Sequence, residues 1–280
     1  MQKRLLAIHD ISCVGKCSLT VALPIISAAG IETSVLPTAV LSTHTGGFEG
    51  YTFRDLTEDI APIAAHWKSL NLSIDAIYTG YLGSFEQLAL VEDIIRDFRK
   101  PETVVLVDPV MADNGKLYPA FSMEFVAGMR GLCEKADIIV PNLTEATLML
   151  GENYTETYDR AYIESLLRKL SALGPKKVVL SGVSFEKGRL GAAAYDRETE
   201  NISYYFAEQI EGYYHGTGDV FGSALIAAVM NGFSLAEAIR VAVEYTVGAI
   251  RRTKAAGTDI RYGVDFENEI PGLLRLLGKI

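Results

Sequence analysis

The chain has 280 residues, of which 49% are hydrophobic and 22% charged, enough apolar material for a sizeable core and too much for a disordered chain. Its formal charge of −9 argues against nucleic acid or an anionic membrane as partner, since both call for basic surface. A small ligand is the expected partner, and an anionic one needs a metal ion or backbone donors to offset the acidic protein.

The N-terminal MQKRLLAIHDISC has too short an apolar run for a signal peptide, and no stretch reaches the length of a membrane span. Cys13, Cys17 and Cys133 have no zinc-ligand spacing and read as reduced thiols, each expected to serve as a small buried hydrophobe in a cytoplasmic protein.

Short β-branched runs alternate with helical patterns along most of the chain. Strands are predicted at Arg4–His9, Thr33–Val40, Ile74–Thr79, Thr103–Asp108, Asp137–Val140 and Lys177–Ser181. Helices are predicted between them at Leu19–Ala29, Leu56–Leu70, Phe85–Arg99, Ser122–Glu134 and Asp159–Leu173. This βαβ order implies an α/β fold with a mostly parallel sheet covered on both faces. Ala192–Tyr195 and Ile202–Phe206, joined by DRETEN, read as an antiparallel hairpin on the sheet edge. Asp219–Met230, Leu235–Lys254 and Phe266–Leu277 read as C-terminal helices. No linker or repeat interrupts the pattern, so residues 1–280 are expected to form one domain.

Ligands in such folds bind beyond the carboxyl ends of the strands. Polar residues collect at five of those ends: His9, Asp10 and Ser12, Leu41–Gly47 (LSTHTGG), Gly80 and Tyr81, Asp108–Asp113 (DPVMAD), and Asn142–Glu145 (NLTE). Near the C-terminal helices, Gly216–Asp219 reads GTGD. Gly216 and Gly218 flank Thr217, which lets the backbone turn and present N–H donors to an anion at a helix start. Asp219 behind that turn suits either a helix cap or a general base working beside a bound phosphate.

These segments together resemble the ribokinase superfamily and, within it, the pyridoxal (pyridoxine, pyridoxamine) kinases. The anchors are GTGD at Gly216–Asp219, DPVMAD at Asp108–Asp113, PNLTE at Pro141–Glu145, STHTGG at Ser42–Gly47 and TGY at Thr79–Tyr81. The resemblance implies a ribokinase-like three-layer α/β/α sandwich with a mostly parallel central sheet and an antiparallel edge hairpin. It also implies ATP-dependent phosphorylation of the 5′-hydroxymethyl group of a vitamin B6 vitamer, in salvage of pyridoxal 5′-phosphate.

By that resemblance Asp219 is the catalytic base, and Gly216, Thr217 and Gly218 form an anion hole for the transferred phosphoryl group. Asp10, Ser12, His44, Thr45 and Tyr81 line the substrate side. Asp108, Asp113, Tyr118, Asn142, Glu145, Ser181 and Gly182 lie on the ATP side, and Asp108, Asp113 and Glu145 supply oxygens to Mg²⁺. The resemblance also allows a monovalent cation and implies a homodimer.

Two positions depart from the family pattern. Many relatives read serine-histidine-valine after the first strand, where this chain has Asp10-Ile11-Ser12 and a shorter loop before Gly15; Val140 stands where relatives often have threonine. Alternatives are a hydroxymethylpyrimidine kinase of thiamine biosynthesis, a sugar kinase of the wider superfamily, and a non-catalytic binding protein for B6. STHT and TGY favour B6 over the pyrimidine, the apolar and aromatic loops fit a flat ring better than a sugar, and binding alone needs no carboxylate behind GTG.

Overall fold

The computed structural model describes residues 2–280. The chain opens with β1 (Arg4–Val14), α1 (Leu19–Ala28), β2 (Glu32–Thr43), β3 (Phe53–Asp55) and α2 (Thr57–Ser69). Next come β4 (Ala76–Thr79), α3 (Phe85–Phe98) and β5 (Val104–Val107), then a two-stranded flap of β6 (Ala112–Asp113) and β7 (Lys116–Leu117). α4 (Met123–Cys133), β8 (Ile138–Ile139), α5 (Leu143–Leu150), α6 (Arg160–Ala172) and β9 (Lys177–Val183) complete the alternating part. The hairpin β10 (Arg189–Asp196) and β11 (Asn201–Glu208) precedes α7 (Thr217–Met230), α8 (Leu235–Ala256) and α9 (Ile270–Leu276).

The main sheet has the order β11-β10-β9-β8-β5-β4-β1-β2-β3. Strands from β9 to β2 run parallel, while β3 at one edge and β10–β11 at the other are antiparallel. Each central strand is apolar on both faces because both faces are covered. Leu5 and Ala7 of β1 join the core layer shared with α1, α7 and α8, whereas Leu6 and Ile8 join the layer shared with α3, α4 and α6. The same alternation puts Leu106 of β5 on one side and Val105 and Val107 on the other. Each fully buried leucine or isoleucine contributes about 1.5–3 kcal/mol, so the layers hold the strand ends in fixed positions. No helix among the described residues is long and apolar enough to cross a membrane.

The elements differ from the sequence expectation mainly at their ends. β1 continues five residues past His9, so Asp10 and Ser12 lie within the strand and not after it. β2 likewise runs to Thr43, and the short antiparallel β3 pairs with it. The expected helix at Phe266–Leu277 is a 3₁₀ turn, Glu267–Glu269, followed by α9, which starts anew around Pro271 because proline has no N–H to continue a preceding helix. Of the three cysteines only Cys133 is buried; Cys17 is half-buried, and Cys13 is exposed on the extension of β1.

Candidate active site

β1 lies between β2 and β4, so the chain leaves it in opposite directions along the sheet. A crevice opens at the carboxyl ends where the strand order reverses. The pairing of β1 with β2 shifts register between His9 and Ile11, which sets Asp10 at the irregularity. Asp10 is buried, and Ser12 Oγ donates to its Oδ2 at 3.4 Å. Burial raises the Asp10 carboxyl above the usual range, opposed by the Ser18 and Ser12 hydroxyls and by His44. Tyr81, just past β4, is half-buried, with its ring 5.5 Å from that of Phe121.

The GTGD turn faces this crevice. Gly216 caps α7 in the left-handed region, with φ of 74°, and a Cβ there would strike the Lys16 carbonyl. Only glycine meets both conditions. α7 begins at Thr217, two residues earlier than expected, which makes Asp219 its third residue. The first helical hydrogen bond runs from Val220 N–H to Gly216 C=O at 3.0 Å. The amides of Thr217, Gly218 and Asp219 therefore precede the helical ladder and are available to an anion. Thr217 Oγ1 donates to Tyr214 C=O at 3.1 Å and fixes the turn.

Burial lifts the Asp219 carboxyl from 3.8 to about 7; the Ser18 amide opposes the rise and Asp10 adds to it. Ser18 occupies the N-cap position of α1 with φ of 55° and makes no side-chain cap bond, an uncommon conformation for a non-glycine residue. The segment before it is pinned by Lys16 N–H to Tyr262 C=O, 3.0 Å.

On the other side of the crevice Asn142 and Glu145 form a capping box at the start of α5. Asn142 Oδ1 accepts from Glu145 N–H and Glu145 Oε2 accepts from Asn142 N–H, both at 2.9 Å. Glu145 Oε1 also accepts from Met111 N–H at 3.1 Å, and Asn142 Nδ2 donates to Ala112 C=O at 2.7 Å. These bonds tie α5 to the segment after β5 and leave both side chains largely committed to protein. Burial pushes the Glu145 carboxyl up to about 8 despite those donors. Burial, then the Glu145 and Asp219 charges, hold Asp108 well above the carboxylate range. Among the described residues no lysine or arginine offsets the charge of these three carboxyls.

Asp113, at the flap tip, turns to Asn114 and to Tyr213, whose hydroxyl lies 3.3 Å from its Oδ2. Tyr118 is half-buried and faces Glu145, Asp113 and Tyr213. Among the described residues no three His, Cys, Asp or Glu side chains converge as a metal cage, so Asp108, Asp113 and Glu145 do not form a closed ligand set. Asp108, which faces two other carboxyls without a protein cation, has the donor chemistry to accept one. Ser181 and Gly182 lie inside β9 and not after it; Ser181 bridges to Asn142, and Gly182 takes a left-handed φ of 71°.

His44 is buried and both ring nitrogens are engaged. Nε2 lies 2.6 Å from Arg261 C=O, and Nδ1 accepts from Gly46 N–H at 3.1 Å. The ring face, not a ring nitrogen, is what His44 can offer a ligand. Its centroid is 5.1 Å from that of His215, which lies 5.0 Å from Tyr213. Thr45 is exposed on the same loop. His215, Tyr213, Phe121 and Ser18 did not stand out in the sequence. The only signal for His215 was its place before GTGD, and Ser18 is revealed by backbone conformation alone.

The three layers and the strand-end carboxylate-and-amide turn define a phosphotransferase of the ribokinase-like class. Residues 24–263 match the phosphomethylpyrimidine kinase family model, and the chain belongs to that family. A Bacteroides thetaiotaomicron protein named for the phosphomethylpyrimidine kinases superposes with a TM-score of 0.95 at 40% identity, over 97% of this chain and 94% of that one. An orthorhombic form of that protein contains pyridoxal. Pyridoxal kinase from Lactobacillus plantarum gives a TM-score of 0.90 at 33% identity, covering 99% of this chain and 98% of its own. Among curated relatives, the pyridoxine kinase of Bacillus subtilis is 32% identical over 187 residues, 65% of this chain and 66% of that protein.

Proposed function

We propose that the chain transfers the γ-phosphoryl group of ATP to the 5′-hydroxymethyl group of pyridoxal, pyridoxine or pyridoxamine, in salvage of pyridoxal 5′-phosphate. The observation that carries this reading is Asp219, a carboxyl lifted to about 7 directly behind three amides free to hold an anion. A primary alcohol is a weak nucleophile at neutral pH, and a carboxylate with that proton affinity can accept its proton as the phosphorus–oxygen bond forms. The amides of Thr217, Gly218 and Asp219 then stabilise charge on the phosphoryl oxygens, and the Gly216 turn keeps them aimed.

Asp10, Ser12, Thr45 and Tyr81 serve the ring, with His44 acting through its face and through its hold on the Arg261 segment. Asp113, Tyr118, Asn142, Ser181 and Gly182 serve the nucleotide end, Asn142 chiefly by fixing α5. Asp108 and Glu145 would hold the Mg²⁺ bound with ATP, which would offset phosphate charge. A monovalent cation fits the same acidic end. One sheet carrying both core layers supports a single domain over residues 1–280. A homodimer follows from the resemblance, for which exposed Val14, Tyr51 and Phe53 offer apolar surface, and a cytoplasmic location from the reading of the cysteines as reduced thiols.

Support for B6 comes from the pyridoxal kinase of L. plantarum and from pyridoxal in the B. thetaiotaomicron relative. The family model's own description favours a second reading, phosphorylation of the hydroxymethylpyrimidine of thiamine biosynthesis. Parallel measurement of kcat/KM with pyridoxal and with hydroxymethylpyrimidine decides between them. Higher kcat/KM for pyridoxal is expected; a reversed order overturns the B6 assignment.

A further inference from the structure

Asp10 is only 6% exposed, yet among the described residues no lysine or arginine offsets its charge. From β1 and the segment after it the carboxylate accepts from the hydroxyls of Ser12 and Ser18 and from its own amide, and its charge reaches the Cys17 thiol. The charges of Asp10 and of Asp219 on α7 oppose one another, His44 on the loop after β2 acts on Asp10, and the charge of Asp10 reaches Tyr81 past the end of β4. Lys16, the nearest lysine in sequence, turns away to Glu267 at 2.7 Å and lies over the Phe266 ring. His44 cannot gain a proton without giving up the Gly46 N–H bond to its Nδ1, and burial lowers its proton affinity further. Two hydroxyls and its own amide donate to this carboxylate, but a charge taken out of water without a cation remains costly, and it stands in the crevice where the substrate ring would bind.

We propose that Asp10 is the acceptor for a protonated nitrogen carried by the substrate, so that the site selects the N-protonated form of its heteroaromatic alcohol. The inference rests on the B6 reading above and deepens it. The carboxylate and the nitrogen share one proton between them, and closure of the site around the ring strengthens that pair. Pyridine nitrogens are more basic than pyrimidine nitrogens, so Asp10 biases the site toward the pyridine. A ring with C–H in place of the nitrogen leaves the carboxylate unpaired. Sites built to hydrogen-bond a donor reject analogues that lack it strongly, here by ~100-fold or more.

The test is calorimetric titration of the full chain with pyridoxine, with its analogue bearing C–H for the ring nitrogen, and with pyridoxamine. Titrations of pyridoxine in two buffers of different ionisation enthalpy, about one unit above the pKa of the ring nitrogen, report protons taken up on binding. The wild type should take up close to one proton and prefer pyridoxine over the C–H analogue by ~100-fold or more. Asp10→Asn should take up none and lose most of that preference. An advantage of pyridoxamine over pyridoxine that Asp10→Asn abolishes, with no preference for pyridoxine over the C–H analogue, would put the exocyclic ammonium on Asp10 and overturn the ring-nitrogen assignment. Binding of all three within about threefold of one another by the wild type overturns it, and this arm stands even if Asp10→Asn does not fold. Proton uptake surviving in a folded Asp10→Asn also overturns it. ATP-dependent turnover of pyridoxine, measured alongside, separates the two readings: its absence sinks the kinase assignment, whereas turnover without discrimination sinks only the role of Asp10.

Discussion

Asp219→Asn keeps the shape of the side chain and the helix start while removing the base. A positioned general base contributes about 10²–10⁴ in rate, equivalent to roughly 3–5 kcal/mol of barrier, so kcat should fall by that factor. With the carboxyl at about 7, the wild type loses its ionised base as pH falls. Its kcat/KM should therefore drop tenfold per unit below about 7 and level off above it; the variant should be slow and lack that limb. The same carboxyl carries a stability cost. Its folded-state affinity for protons exceeds the ordinary 3.8, so stability is highest below that value and declines as pH rises through about 7. The full shift corresponds to about 4 kcal/mol at 1.36 kcal/mol per unit; the residue is half-buried and not wholly enclosed, so water reduces this to roughly half. Asp219→Asn should thus melt several degrees above the wild type at pH 8, at about 2–4 °C per kcal/mol, and close to it at pH 4. Coupled detection of ADP with pyridoxal as acceptor, together with calorimetric melting at both pH values, measures both effects. Turnover of the variant within tenfold of wild type at pH 8, or an ascending limb near pH 7 retained in it, would refute the base assignment.

Gly216→Ala places a Cβ against the Lys16 carbonyl at a left-handed φ; it should cost about 2–3 kcal/mol in thermal unfolding and abolish turnover by tilting the amides. Gly222→Ala sets a methyl against the Tyr78 hydroxyl beneath α7. It should lower stability by about 1–3 kcal/mol, and adding Tyr78→Phe should restore part of the loss in the same melting assay. Tyr213→Phe removes the hydroxyl that meets Asp113; for this exposed contact of ~0.5 kcal/mol, melting should barely change while KM for ATP rises about twofold to threefold.

The sheet was legible because each central strand is apolar on both faces: Leu5, Leu6, Ala7 and Ile8 read as one buried run, and they divide between two core layers. The ends were less so. Polar Asp10 and Ser12 suggest a loop by composition, but β2 continues alongside and extends the pairing to Val14. α5 escaped notice because NLTEATLML carries a capping box whose function is visible only when Glu145 is seen to reach back to Asn142 and across to Met111. Gly216 could be read from its motif, whereas the need for Gly222 depends on Tyr78 of a distant strand. His44 stood out as a strand-end histidine, but its ring nitrogens are consumed by Arg261 and Gly46. Chemistry carried by contiguous residues was readable; chemistry assembled across the fold was not.

Pyridoxine offers two primary alcohols, at the 4′ and 5′ positions, in one molecule. Incubation of the full chain with pyridoxine, ATP and Mg²⁺, followed by ³¹P–¹H correlation of the product, locates the transferred phosphate directly. Coupling to the 5′ methylene, lost in Asp219→Asn, is the predicted result. Phosphate on the 4′ oxygen, or ADP release without a phosphorylated alcohol, would contradict the assignment of this site.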